Sequence, residues 1–155
     1  MDPEKKKRDE AVVLDTNIIL ASILKRGSYT RQVIVYLTDV LGVEAYTPEK
    51  TLQEIEEHLA ELAKRKKIHV EELRVAVRIL LLGVKVVGEQ VYRDYLEVAT
   101  NCVGDPADAD FAALALHLAE DYERVILLTW NKKDYRGDCL ETHRIVVATP
   151  SSLKI

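Results

Sequence analysis

The chain has 155 residues, enough for one domain of ordinary size with a single core. At 48% apolar and 31% charged it falls among globular sequences, and no run approaches the roughly 18 apolar residues that span a bilayer. A net charge of -4 argues against broad electrostatic affinity for nucleic acid while leaving room for a local basic patch; with no signal-peptide pattern, we expect a cytoplasmic protein.

Residues 1–10 carry almost nothing apolar and read as a flexible tail, which leaves 11–155 as one domain. Residues 11–14, Ala-Val-Val-Leu, form a short apolar run of the kind that builds a parallel strand buried on both faces. The run stops at Asp15, and Thr16 and Asn17 open a helix through Leu24. Lys25, Arg26 and Gly27 make a break. Ser28 then caps a second helix with Val33, Ile34, Leu37, Val40 and Leu41 on its apolar face, and Gly42 ends it. Residues 43–46 read as a strand. Thr47-Pro48 supplies a capping residue followed by Pro at the first helical position of a helix over about 48–65, with Leu52, Ile55, Leu59 and Leu62 as its buried stripe. A fourth helix over about 69–82 folds back on it as a hairpin. Residues 84–87 form another short strand, and a helix follows near 89–100.

The segment Asn-Cys-Val-Gly-Asp-Pro-Ala-Asp-Ala-Asp, residues 101–110, leads into a continuous apolar helix. Asp105 before Pro106 has the form of an N-cap with Pro at the first helical position, and Asp108 falls where an acid favours the helix dipole. Residues 124–129 read as a second buried strand, ending on Thr129, Trp130 and Asn131. A polar turn or short helix follows before a final strand over 144–148. Cys102 and Cys139 stand far apart and outside any Cys-x-x-Cys arrangement, so we read them as free thiols. Strands alternate with helices throughout. This pattern predicts an α/β fold, a three-layer α/β/α sandwich around a central five-stranded parallel sheet of Rossmann-like type.

No Walker A sequence, G-x-G-x-x-G loop or G-x-S-x-G elbow is present, and the residue two after Asp15 is Asn17 rather than a second Asp. What remains is carboxylates: Asp15, Glu54, Asp105, Asp108 and Asp134, from separate elements. In an open α/β sheet, ligands bind outside the carboxyl ends of the strands, and hard oxygen donors meeting there suit Mg²⁺ or Mn²⁺. Capping of the first helix explains Asp15 equally well at this level. Lys25, Arg26, Lys132, Lys133 and Arg136 follow the first helix and the fourth strand, where they either meet substrate phosphates or stand as solvated loop charge. Trp130 and Tyr135 either stack on bases or pack at the rim.

Four segments in order, V-V-L-D-T-N-I-I-L, T-P-E-K-T-L-Q-E-I, G-D-P-A-D-A-D-F-A-A-L-A-L and I-L-L-T-W-N-K-K-D-Y, resemble the successive motifs of the PIN domain family. The similarity runs from residue 11 to about 150. PIN domains are typically metal-dependent nucleases, many of them ribonucleases and many the toxins of VapBC-type toxin–antitoxin pairs. The resemblance implies Asp15, Glu54 and Asp108 as the principal catalytic and metal-binding acids, supported by Asn17, with Asp105 second to Asp108. The fourth motif departs from the version with an acid two residues after the Thr, because Asn131 stands there. It matches the variant T-x-N-x-x-D-F/Y through Thr129, Asn131, Asp134 and Tyr135, which leaves open whether Asn131 or Asp134 completes the site. An endoribonuclease acting on single-stranded or structured RNA is the implied activity, with a small antitoxin protein as partner. The family's frequent dimers, together with the apolar 48–82 hairpin, imply a homodimer. A weakened RNA-binding or regulatory module of the same fold is the rival reading.

Overall fold

The structure, a computed structural model, describes residues 7–24 and 28–153; the first six residues and the break at Lys25, Arg26 and Gly27 lie outside the described residues. Five parallel strands make one sheet in the order β3-β2-β1-β4-β5, built from β1 (Arg8–Leu14), β2 (Glu44–Pro48), β3 (Val84–Val87), β4 (Tyr122–Leu128) and β5 (Ile145–Ala148). Side chains of a strand alternate between faces, and here both faces are apolar. Ala11 and Val13 of β1 and Val125 and Leu127 of β4 point to one side; Val12, Leu14, Ile126 and Leu128 point to the other. The first face is covered by α5 (Glu89–Tyr92), α6 (Leu96–Thr100), α7 (Ala109–Leu118) and α8 (Gly137–Glu141). The second is covered by α1 (Thr16–Leu24), α2 (Tyr29–Val35), α3 (Lys50–Lys66) and α4 (Val70–Leu81). The three-layer α/β/α sandwich expected from the alternation is the fold observed. Helix α7 is buried almost all round, and its alanines at 112, 113 and 115 let the backbone lie close against the sheet.

Several local expectations are corrected. The sheet begins at Arg8 rather than residue 11. The N–H of Arg8 donates to the Asp121 carbonyl at 2.9 Å, and its guanidinium reaches Glu44 Oε2 at 3.1 Å and the Tyr122 hydroxyl at 3.2 Å, so polar residues are held in the strand by partners rather than by burial. Glu44 also accepts from the hydroxyls of Tyr122 and Tyr46 and from Lys85. These donors, Tyr122 foremost, hold its carboxyl well below the ordinary range, at about 2. Thr47-Pro48 does not start a helix. Pro48 closes β2 opposite Val87, and the fully buried Thr47 hydroxyl donates to the Leu14 carbonyl at 2.9 Å; α3 begins two residues on. Leu52, placed in the buried stripe by its spacing, is exposed, and Thr51 takes its place in the stripe with Ile55, Leu59 and Leu62.

After α2 the chain makes a π-helical turn over Tyr36–Val40, with the Leu41 N–H bonded to the Tyr36 carbonyl at 3.0 Å. The extra residue per turn rotates Val40 and Leu41 out of the buried stripe into solvent. Gly42 ends the segment as expected, at φ 69°. The helix expected over 89–100 is broken at Tyr92, whose ring is buried under α7, by a 3-10 turn over Arg93–Tyr95. Cys102 and Cys139 are not free thiols but a disulfide, with Cα atoms 5.5 Å apart. The segment that follows Cys102 and the one that leads into α8, which carries Cys139, meet in an antiparallel bridge between Val103 and Tyr135, a proximity that sequence spacing does not encode. Among the described residues, no helix is long and apolar enough to cross a membrane.

Candidate active site

The strand order reverses between β1 and β4, since β2 and β3 lie to one side and β5 to the other. The carboxyl ends of those two strands therefore flank the crevice where an open α/β sheet binds its ligand. Asp15 stands at the end of β1 and Thr129 at the end of β4.

Asp15 is 6% exposed. Its Oδ2 accepts hydrogen bonds from the Thr129 hydroxyl at 2.8 Å and the Tyr135 hydroxyl at 3.0 Å, and the backbone N–H groups of Thr16 and Asn17 also serve the carboxylate. Burial pushes the Asp15 carboxyl above its ordinary range, and these four donors oppose the shift without cancelling it. Asp15 therefore caps α1 and faces the crevice at once. Thr129 is the hub beneath it. Its fully buried hydroxyl accepts from Asn17 Nδ2 at 3.2 Å and from the Asn131 N–H at 3.0 Å while donating to Asp15. Asn17 Oδ1 takes the Trp130 N–H at 2.9 Å, so one amide side chain clamps the start of α1 to the end of β4.

Glu54 arrives from α3. Its Oε2 accepts from the Thr16 hydroxyl at 2.7 Å, which sets it beside the residue that follows Asp15. Thr16 also lies 3.3 Å from the Thr51 hydroxyl, one helical turn earlier on the same face. Lys50, at the start of α3, lies 3.7 Å from Glu54 Oε1 and 3.6 Å from Asp110 Oδ1.

Asp108 ends a 3-10 turn over Pro106–Asp108 that runs into α7. The cap expected at Asp105 is present, with its Oδ1 accepting from the Ala107 N–H at 3.0 Å. Asp108 is partly buried, and its carboxyl is pushed up to about 6, first by desolvation and then by the negative charges of Asp15, Asp134, Asp105 and Glu54. Four of the acids that the sequence singled out thus act on the fifth, Asp108, across the crevice. Asp134 closes the turn Lys132–Asp134, and its carbonyl accepts the Gly104 N–H at 2.7 Å. Lys132, Lys133 and Arg136 are exposed on the loop that carries it, as is Asn131.

No group of three or more acidic, histidine or cysteine side chains among the described residues is close-set enough to hold a metal ion as it stands. The donor set is nonetheless all oxygen, and mutual repulsion already raises Asp108. Both features fit a hard divalent cation, which removes that repulsion when bound. Tyr135, one of two aromatics weighed for base stacking, is instead buried at 5% exposure with its hydroxyl on Asp15. Trp130 is 38% exposed, with its indole N–H on the Thr30 hydroxyl at 3.2 Å. Sequence reasoning passed over Thr129 as a hub, and it missed Lys50, Asp110 and Tyr92, whose hydroxyl donates to Asp110 Oδ2 at 2.6 Å. Only Thr129 carried a signal, its place at the end of a buried strand.

A parallel α/β domain with acids gathered at the switch point of its sheet is the class these features define. The chain belongs to the PIN domain family, whose sequence profile, described as "PIN domain", matches residues 13–121. Similar solved structures include VapBC2 from Rickettsia felis bound to a DNA fragment from its promoter, at 18% identity and TM-score 0.59, covering 90% of this chain and 98% of that one. FitAB bound to the IR36 DNA fragment matches at 19% identity and TM-score 0.58, covering 93% of this chain and 98% of that one. FitAcB from Neisseria gonorrhoeae matches at 20% identity and TM-score 0.57, covering 92% of this chain and 99% of that one. Identities this low establish a shared fold. No curated protein matches the chain significantly.

Proposed function

We propose that the protein is a ribonuclease that cuts RNA at a divalent-cation centre formed by Asp15, Glu54 and Asp108. PIN domains are generally nucleases and generally use divalent metal ions. The observation that carries the reading is the placement of acids at the switch point of the sheet, where Asp15 follows β1, Glu54 reaches the Thr16 hydroxyl beside it, and the Asp108 carboxyl is pushed up by burial and then by the neighbouring acids. A site so negative favours a cation, and a cation there lies where a phosphodiester meets the crevice.

When bound, Mg²⁺ or Mn²⁺ supplies a water of lowered pKa and neutralises charge on the scissile phosphate. Asp15 and Asp108 would hold the ion. Glu54 orients the attacking water and accepts its proton. Asn17 and Thr129 keep the Asp15 carboxylate from turning, and Asp134 completes the acidic set. Asn131 supports the turn through its main chain, and Asp105 stays secondary because its carboxylate is committed to a cap. Lys132, Lys133 and Arg136 contact backbone phosphates from the rim. The structural likeness to VapBC2 and the resemblance of the motifs to VapBC-type toxins support a toxin role, with a small antitoxin protein as partner.

The test is incubation of a single-stranded RNA with wild type and Asp15→Asn in Mg²⁺ or Mn²⁺, with and without chelator. Cleavage by wild type that chelator and the substitution both abolish is the expected result. Equal cleavage by both proteins assigns the activity to a contaminant and overturns the reading.

A further inference from the structure

We propose that Lys50 is a positioning residue for Glu54 and Asp108, an assignment that rests on the ribonuclease reading of this site. The ammonium of Lys50 meets three groups on three elements. It is paired with Glu54 one turn along its own helix, with Asp110 Oδ1 on α7, and it donates to the carbonyl of Ala107. Ala107 and Asp110 bracket Asp108 in sequence. One side chain therefore ties the helix that carries Glu54 to both sides of the residue that presents the third acid.

An ordinary lysine–glutamate pair at the surface of a helix contributes little and positions nothing. Three features separate Lys50 from that case. The side chains of Lys50, Glu54 and Asp110 are 30%, 28% and 16% exposed, so the contact is shielded from water on most sides. The far end of the contact is itself anchored, since Asp110 Oδ2 accepts the hydroxyl of Tyr92, whose ring is 1% exposed. The near end is anchored as well, because Glu54 uses its other oxygen to accept from Thr16, the neighbour of Asp15. A continuous chain thus runs from Tyr92 through Asp110, Lys50 and Glu54 to Thr16, in which each carboxylate accepts a hydrogen bond on one oxygen and faces the Lys50 ammonium with the other, at 3.6 Å for Asp110 and 3.7 Å for Glu54.

Removing Lys50 has two consequences of opposite sign. The site loses a positive charge that competes for Glu54, so a divalent cation binds more tightly. The elements carrying Glu54 and Asp108 also lose their tie, and misplacement by ~1 Å costs on the order of 10²-fold in rate. Loss of the charge alone tightens cation binding, so it is slower turnover alongside tighter binding that separates a positioning lysine from one that merely stabilises the fold.

The experiment compares wild type with Lys50→Met, which keeps the length of the side chain without its charge, and with Lys50→Arg. Mn²⁺ binding is followed by calorimetric titration and by the thermal midpoint, and cleavage of an RNA oligonucleotide is measured at saturating Mn²⁺. We expect Lys50→Met to bind Mn²⁺ several-fold more tightly and to turn over at least tenfold more slowly, with Lys50→Arg recovering most of the lost rate. Wild-type turnover in Lys50→Met overturns the assignment, as does a parallel loss of Mn²⁺ affinity and rate. If Lys50→Met does not fold, Asp110→Asn severs the same chain from its other end and is expected to slow turnover with Mn²⁺ binding retained; unchanged turnover in that variant overturns the proposal. Wild type that binds Mn²⁺ and cuts no RNA overturns the ribonuclease reading instead. The binding arm then decides Lys50, and unchanged Mn²⁺ affinity in Lys50→Met counts against it.

Discussion

Reduction of the Cys102–Cys139 disulfide is the perturbation whose effect follows most directly from the fold. The bond closes a loop with a sequence separation of 37. In the chain-entropy account, a cross-link over that separation stabilises the fold by about 4 kcal/mol, through restriction of the unfolded chain. For a chain of this size each kcal/mol moves the thermal midpoint by roughly 2–4 °C, so reduction is expected to lower it by on the order of 10 °C. The active-site loops stay joined below the new midpoint. Two main-chain hydrogen bonds span the same seam, from the Gly104 N–H to Asp134 and from the Arg136 N–H to Cys102, each at 2.7 Å, alongside the Val103–Tyr135 bridge. Circular-dichroism melts with and without a dithiol reductant, with thiols counted by mass spectrometry, read both states. Free thiols in the unreduced native protein would refute the reasoning, as would midpoints that agree within about 2 °C.

Tyr135→Phe removes one hydrogen bond from a buried carboxylate and is expected to destabilise the fold by about 1.5–3 kcal/mol, measured by urea unfolding, while leaving the rest of the Asp15 shell in place. The Asp108 carboxyl, raised from 3.8 to about 6, holds an extra proton in the folded state between those values. In the absence of divalent ions its contribution to stability is therefore full below about pH 4 and is lost as the pH rises through about 6. Mn²⁺ affinity of the wild type, followed by titration calorimetry, rises over the same interval as that proton leaves, and in metal-free urea unfolding Asp15→Asn shifts the interval to lower pH by deleting a neighbouring charge. Val75, Ile79 and Leu82 leave apolar surface on and just beyond α4, and a homodimer is the expected state; sedimentation showing only monomer at micromolar concentration removes it.

The fold was legible where burial is symmetrical. The runs at residues 11–14 and 125–128 are apolar without alternation, as a strand covered on both faces demands, and from those two strands the parallel sheet and its covering helices follow. Legibility failed where a side chain answers to a partner rather than to a period. Arg8 sits in a strand because Glu44 and Tyr122 receive it, and Thr47 prefers a carbonyl of β1 to the helix it was placed to cap. Val40 and Leu41 kept the helical spacing but not the helical twist, since a π turn changes the angle that the spacing assumes.

The same distinction runs through the site. Asp15, Glu54 and Asp108 were visible because each occupies the end or the face of an element with its own signature. Lys50, Asp110 and Tyr92 were not, because the contacts joining them exist only after α3, α5 and α7 have packed. For Asp15, capping and the proposed metal-binding role are compatible rather than exclusive. The backbone donors that make it a cap are among the groups that keep a carboxylate in a pocket where burial opposes its charge. An acid at the start of a helix behind a buried strand is held there by the fold's own unpaired N–H groups. The structural requirement of the helix end therefore supplies part of the preorganisation that the site needs.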